Sequence, residues 1–346
     1  MGPWAISLLM ILGFAGFAAL AWRKLAVVAA LQPQGRWDEP GRRLARLLGM
    51  GFGQSRMVAL EWKPGLMHAA IFLGFMALLV RKVNLIAIGY DPLAVIPGAA
   101  GAFYAAVKEG VEVAVLLAVL YAFWRRFVLK PARLEPNREA ILILSLILVI
   151  VVTDFLFDGF RFVRYAADAG IAHERRFAPV GSMLAASFAG LSPEAILAGM
   201  HASYWTQMVT VFSFLVLLPA GEHFHIVTAL PAVFLARETP LNRVPSVDLE
   251  ALMADDAPDD MKVGVRTAAD LLWKEGFDAF TCTECGRCKD SCPTFLTGKP
   301  LAQKWVNDAI KHHLVDRREA ILAKEEDRLP PLVGEVISAE TLWACT

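Results

Sequence analysis

The sequence is short of cysteine and has no net charge. Five cysteines occur in 346 residues, and four of them crowd between positions 282 and 292. A disulfide framework distributes its cysteines along a small secreted chain, so that class does not fit. Thirty-four basic residues balance 34 acidic ones. With no surplus of positive charge to neutralise phosphates, a nucleic-acid partner is not expected. Charged residues of both signs reach only 20% against 56% hydrophobic, and the mean hydropathy is +0.48. Soluble domains are rarely so apolar. There is no internal repeat and no low-complexity tract. No basic segment precedes the first apolar run, so that run is expected to be a retained anchor and not a cleaved signal.

What the chain has in excess is long apolar runs, all before about Arg237. Five can cross a bilayer, each near the ~20 residues that a span requires. They run from about Pro3 to Ala21, Gly65 to Ile88, Phe103 to Phe123, Ala140 to Phe160, and Ile196 to Leu218. The second is interrupted by Arg81-Lys82, and the fifth has an apolar tail to Leu235. The loop after the first span holds Arg36, Arg42, Arg43, Arg46, Arg56 and Lys63. The loop after the third holds Arg125, Arg126, Lys130, Arg133 and Arg138. The positive-inside rule makes both loops cytoplasmic. The N-terminus is then outside and the C-terminal part inside, as in a prokaryotic inner membrane. The stretch from Arg161 to Arg176 is also basic although it falls outside, where its length weakens the rule. After Arg237 the composition turns polar. Pro240, Pro245, Pro258 and the pairs Asp255-Asp256 and Asp259-Asp260 read as a solvated tether over 237–262.

The cysteines carry the chemistry. Cys282, Cys285, Cys288 and Cys292, with Pro293 after them, spell C-x2-C-x2-C-x3-C-P. This is the run of ferredoxins with two [4Fe-4S] clusters, in which the fourth cysteine ligates the other cluster. Three thiolates within seven residues can wrap one cluster, and Pro293 turns the chain away. Gly286 leaves room for a backbone pressed against inorganic sulfur. A zinc site would also fit two C-x2-C pairs. Cys345, in Leu342-Trp343-Ala344-Cys345-Thr346, stands where a second run would open, so the ferredoxin part is expected to be incomplete at its C-terminal end.

Histidines and acids mark the apolar part. His68 lies early in the second span, and His223 and His225 lie at the end of the fifth. Two imidazoles at matched depth can hold haem iron from both sides. His223 and His225, two apart on a helix, are about 200° apart, so only one can face His68. His201 sits near the outer end of the fifth span with no histidine at its depth on the second, although His173 could approach it. In the third and fourth spans, Lys108, Glu109, Glu112, Asp154 and Asp158 lie towards the outer face, followed by Arg161 and Arg164. Glu109 and Glu112 share a helix face. Quinone chemistry moves protons with electrons, so Glu109, Glu112, Asp154 and Asp158 are candidate quinone-side acids. Salt bridges between helix ends are the alternative.

The apolar part resembles the cytochrome b (gamma) subunit of respiratory nitrate reductases and the membrane subunit of heterodisulfide reductases. The likeness rests on five spans, His68 early in the second, and Leu218-Pro219 seven residues ahead of His225. That nitrate reductase pattern implies two haems, with histidines about ten apart on one span and about eighteen apart on the other. The inner pair matches His68 and His225. The outer pair falls on Leu78 and Gln207, so one haem b is expected and not two. The polar part is similar to the iron–sulfur subunit of heterodisulfide reductases and glycolate oxidases, through Cys282-Thr283-Glu284-Cys285-Gly286-Arg287-Cys288, Cys292-Pro293, Thr297-Gly298-Lys299-Pro300-Leu301, and Leu342 to Thr346. The resemblance implies an α-helical ferredoxin domain. Apolar residues at helical spacing over Val265–Ala279 and Lys304–Leu314 agree.

The fusion of both parts resembles membrane-bound iron–sulfur oxidoreductases that link electron-transfer flavoprotein to menaquinone. The expected fold is an all-α membrane protein. It has a five-helix transmembrane, cytochrome b-like bundle over 1–236, a linker over 237–262, and a [4Fe-4S] ferredoxin domain over 263–346. The implied role is electron transfer between the quinone pool, haem b and two cytoplasmic [4Fe-4S] clusters. Cys282, Cys285 and Cys288 would hold one cluster, and Cys292 and Cys345 would contribute to the second. A soluble flavoprotein is the implied partner. The alternatives are a heterodisulfide reductase-type thiol oxidoreductase, a haem-free membrane anchor and a redox sensor.

Overall fold

The computed structural model describes residues 2–132, 134, 137–238, 249–253 and 264–345. The tether expected over 237–262 falls mostly outside these residues, as do Arg133 and Thr346. Helix dominates, and the described residues form no β-strand beyond two isolated backbone bridges. The chain divides into two compact units, Met1–Ala18 with Gln54–Leu217, and Ala19–Gly53 with Leu218–Thr346.

The first unit holds the start of α1 (Pro3–Ala30), α2 (Trp62–Tyr90), α3 (Gly98–Trp124), α4 (Arg138–Arg164), α5 (Ala169–Arg176), α6 (Pro179–Phe188) and α7 (Pro193–Leu217). α4 is central, packing on α3, α6 and α7, while α2 packs on α3. The Asn137 side chain starts α4 by accepting the N–H groups of Glu139 and Ala140, 2.8 and 3.2 Å away, so two orphan donors are satisfied. Two apolar clusters hold the unit together. One joins Ile6, Leu85, Phe157 and Tyr204 from α1, α2, α4 and α7. The other joins Leu78, Val115, Val119, Val151 and Phe155 from α2, α3 and α4. A side chain at Gly74 would collide with Val115, so the small residue lets α2 and α3 approach closely.

Many large apolar side chains remain exposed, among them Trp4, Leu8, Ile11 and Leu12 on α1 and Leu73, Val80 and Val83 on α2. Apolar surface of that extent belongs against lipid. By length and composition α1, α2 and α4 suffice to cross a membrane, and α7 does so when joined with Glu222–Phe234. α3 has the length, but Lys108, Glu109 and Glu112 interrupt its apolar run. Among the described residues three helices thus meet the requirement, or four with the broken pair, and the expected count of five is not confirmed.

The second unit holds the end of α1, a short helix Pro40–Arg46 running into a wide turn Leu47–Phe52, α8 (His225–Phe234), α9 (Trp273–Thr281) and α10 (Gln303–Asp316). α1 does not stop near Ala21 as expected. Lys24 reaches the Gly221 carbonyl at 3.1 Å and lies 5.4 and 5.8 Å from the ring centres of Phe224 and Phe280. Because this cation finds acceptors and aromatic faces, the helix continues through Arg23-Lys24. Past its end, Gln32 pairs with the strand-like run before α9, donating to Leu271 O at 3.0 Å and accepting from Trp273 N at 2.9 Å. Buried Arg43 donates to the carbonyls of Phe234 and Ala236 at 3.1 and 2.7 Å, closing the C-terminal end of α8.

Candidate functional site

Three groups of residues carry chemistry. The first is the cysteine loop. α9 buries Phe277 and Phe280, and ends at Cys282, which is half-buried. The backbone then enters the left-handed region twice, at Glu284 (φ 52°) and Gly286 (φ 78°), and this turns the loop back on itself. Glu284 pairs with Lys311 of α10, which pins the loop to that helix. The Glu284 N–H donates to Cys282 Sγ at 3.5 Å. Cys285 and Cys288 are exposed. Cys292 is buried at the start of the short helix Pro293–Leu296, and its thiol approaches Leu301 O at 4.0 Å. Burial pushes the Cys282 thiol up, against the Glu284 N–H and the Lys311 charge. The Phe295 N–H is the main influence that holds the Cys292 thiol below its usual range.

All five thiols are free, and Cys345 is exposed after the short helix Ala339–Trp343. The disulfide reading therefore has no support among the described residues. Donor chemistry and loop conformation fit iron–sulfur ligation. The structure nevertheless does not draw three of these side chains to metal-ligating distance among the described residues.

The histidines form the second group. His68 is half-buried on α2, with Nδ1 3.2 Å from the amide oxygen of Gln54. His225 opens α8, with Nδ1 3.2 Å from the Glu222 carbonyl. An oxygen of either kind only accepts, so Nδ1 is the donor in both contacts. A hydrogen bond at the far nitrogen is the usual support of an iron-binding imidazole. His68 stands in the first unit and His225 in the second. His223 departs from expectation. It lies in the tight turn Glu222–Phe224 and not on one helix with His225; their ring centres are 5.8 Å apart. Pro219 and Gly221 break the helix before it. His201 is partly buried on α7. At the outer positions, Leu78 is apolar core, and Gln207 is fully buried with no hydrogen-bond partner among the described residues.

The third group is a buried charge network across α2, α3 and α4. Fully buried Arg81 donates to Asp154 from Nε at 2.8 Å and to Asp158 from Nη2 at 2.5 Å. Lys82 reaches Asp154 at 3.1 Å, and Lys108 pairs with Asp158. Glu112, one turn beyond Lys108, lies 3.7 Å from its ammonium group. Glu109 faces elsewhere. Its carboxylate accepts the N–H groups of Val180 and Gly181, at 2.7 and 2.8 Å, in the first turn of α6, where an anion complements the helix dipole. Arg161, also fully buried, donates to Glu174 at 3.0 Å and to the Ala94 carbonyl at 2.8 Å. The sequence reading set these acids near an outer face and missed Arg81 and Lys82 as their partners. The available signal was a basic pair inside an apolar run, since a charge there needs a counter-ion.

Comparison with known proteins follows this geometry. No protein-family model and no solved structure matches the chain. The EtfAB:quinone oxidoreductase of Syntrophomonas wolfei is 28% identical over 379 aligned residues, which cover 99% of this chain and 51% of that protein. The probable iron–sulfur-binding oxidoreductase FadF of Bacillus subtilis is 25% identical over 329 residues, covering 85% of this chain and 45% of that protein. A probable membrane-anchored ferredoxin of Chromohalobacter salexigens is 35% identical over 125 residues, covering 29% of this chain and 17% of that protein. The chain spans about half the length of the first two relatives. Free cysteines in a ferredoxin-type run and long apolar helices accompany this similarity, and the chain is similar to membrane-anchored iron–sulfur oxidoreductases of the EtfAB:quinone oxidoreductase kind.

Proposed function

We propose that the protein carries electrons between quinone in a prokaryotic inner membrane and iron–sulfur clusters on the cytoplasmic side. A soluble flavoprotein of the electron-transfer flavoprotein type exchanges electrons with the clusters, and menaquinone is the quinone. Cys282, Cys285 and Cys288 would hold one [4Fe-4S] cluster, and Cys292 and Cys345 would contribute to a second. His68 and His225 would hold one haem b. When bound, these groups supply one-electron relays between the two-electron chemistries of quinone and flavin. On the five-span reading the basic loops support an N-terminus outside.

One observation carries this reading. Thr281 Oγ1, one residue before Cys282, lies 3.0 Å from Thr228 Oγ1 on α8, three residues after His225. The helix that begins with the haem-ligand candidate is thereby tied, within one unit, to the loop of the cluster-ligand candidates. Relays must lie close to exchange electrons, and this contact supports a relay from His225 to the clusters. The name of the Syntrophomonas wolfei relative supports the quinone and flavoprotein assignments.

The test is a reduced-minus-oxidised spectrum of the purified protein before and after addition of a menaquinol analogue. The expected result is a sharp low-spin haem b spectrum together with bleaching of the broad iron–sulfur absorbance. His68→Ala should remove the haem bands and leave the cluster signals. Full haem content in that variant overturns the ligand assignment. Reduction by dithionite but not by quinol overturns the quinone role.

A further inference from the structure

Asp154, Asp158 and Glu109 each have donors in place, whereas Glu112 has none among the described residues. Its side chain is fully buried, and neither carboxylate oxygen accepts a hydrogen bond among the described residues. Its nearest cation, Lys108, is 3.7 Å away and turned towards Asp158. An orphaned carboxylate in such surroundings is expensive unless it has a further use.

The charges around it identify that use. Arg81 and Lys82 on α2 and Lys108 on α3 bring three positive charges, and Asp154 and Asp158 on α4 bring two negative ones. α5 also packs on α3, but its Glu174 is committed to Arg161. With Glu112 ionised the network is neutral, and with Glu112 protonated it holds one net positive charge. Protonating Asp154 or Asp158 would break charge-assisted bonds to Arg81. Protonating Glu112 breaks none. Tyr104, Lys108 and Glu112 are spaced by four and share one face of α3. The Tyr104 hydroxyl is also buried without a partner among the described residues, so an idle donor and an idle acceptor flank Lys108 on that face.

Resting on the quinone reading above, we infer that Glu112 is the proton-exchanging carboxyl group of the helical unit, with Tyr104 on its relay face and Lys108 holding it in place. Oxidation of one quinol sends two electrons, one at a time, into the relays of the chain. Its two protons pass through Glu112 in turn. A quinol O–H bond breaks, an O–H bond forms on a Glu112 oxygen, and that proton leaves to water before the second follows. Quinone reduction runs the same steps backwards. The surrounding network keeps its hydrogen bonds through the cycle, so the charge change is confined to one group.

The experiment combines quinol-driven reduction kinetics across the neutral pH range with redox-difference infrared spectroscopy in light and heavy water. The wild-type protein should show a carboxylic C=O band that shifts in heavy water. Glu112→Gln should lose that band, and its quinol-driven rate should fall by about 100-fold and lose its pH dependence. Dithionite-reduced cluster and haem signals should stay intact. A rate within about twofold of wild type, or a retained band, overturns the inference. If quinol fails to reduce wild type but dithionite succeeds, the quinone reading falls. The Glu112-dependent band under dithionite then decides proton exchange on its own, and its absence overturns it. Should Glu112→Gln not assemble, Glu112→Asp moves the carboxyl by one methylene. An unshifted band and an unchanged pH profile in that variant refute the assignment.

Discussion

Asp158→Asn tests whether the charge network holds the helices together. Asp158 is fully buried and accepts from Arg81 at 2.5 Å while pairing with Lys108. At an effective dielectric of about 20, a pair at that distance is worth roughly 7 kcal/mol of gross attraction. Much of this is offset by the desolvation that native burial already required. What the variant loses is compensation for two cations that stay buried, and breaking one partner of such a pair costs about 3–5 kcal/mol. The first unit has about 180 residues, for which each kcal/mol moves the midpoint by about 2–4 °C. The expected fall in Tm is therefore about 6–20 °C, measured by the loss of helical circular dichroism in detergent. Added salt should change the shift little, because ions do not reach a buried pair. Lys108→Met combined with Asp158→Asn removes one charge of each sign. The double variant should lose less than the sum of the single variants by about 1–3 kcal/mol. A shift below about 2 °C for Asp158→Asn, or strict additivity in the double variant, would refute the network as a structural element.

Three further outcomes are expected. Quantitation should give one haem b per chain, lost in His225→Ala and kept in His223→Ala; two haems would refute the reasoning from Leu78 and Gln207 and make His201 the first candidate ligand. Iron and acid-labile sulfide assays on the 346-residue chain should give fewer than about eight non-haem irons, since five cysteines cannot supply the four thiolates that each of two clusters needs. Burial pushes His313 below the ordinary histidine value of about 6.5. Its unfolded form thus binds the proton first, and stability present above that value is lost as pH falls through the depressed one. His313→Gln should flatten the acid side of the stability profile, and an unchanged slope would assign that loss to another group.

How much was legible in the sequence follows from the range of each interaction. The ferredoxin-type run lies within eleven positions, so spacing alone revealed it. The long apolar helices were legible for the same reason, because length and hydropathy are local properties. Helix ends were less so. α1 runs on to Ala30 because Lys24 finds Gly221, Phe224 and Phe280, residues far along the chain. Spacing alone places His223 and His225 on one helix, but Pro219 and Gly221 place a break before them and a tight turn around the first.

The roles of the acids were decided only by tertiary structure. Periodicity put Glu109 and Glu112 on one face of one helix, yet Glu109 caps α6 and Glu112 has no donor among the described residues. Asp154 and Asp158 were visible as charges in an apolar run, but their partner Arg81 lies 73 and 77 positions away. Spacing along one helix states which residues are neighbours on that helix. Which cation from another helix arrives at an acid depends on how three helices pack. By itself the sequence determined an all-helical membrane protein with a ferredoxin-type cysteine run. The packing of α2, α3 and α4 decided which buried acid is left without a hydrogen-bond donor among the described residues.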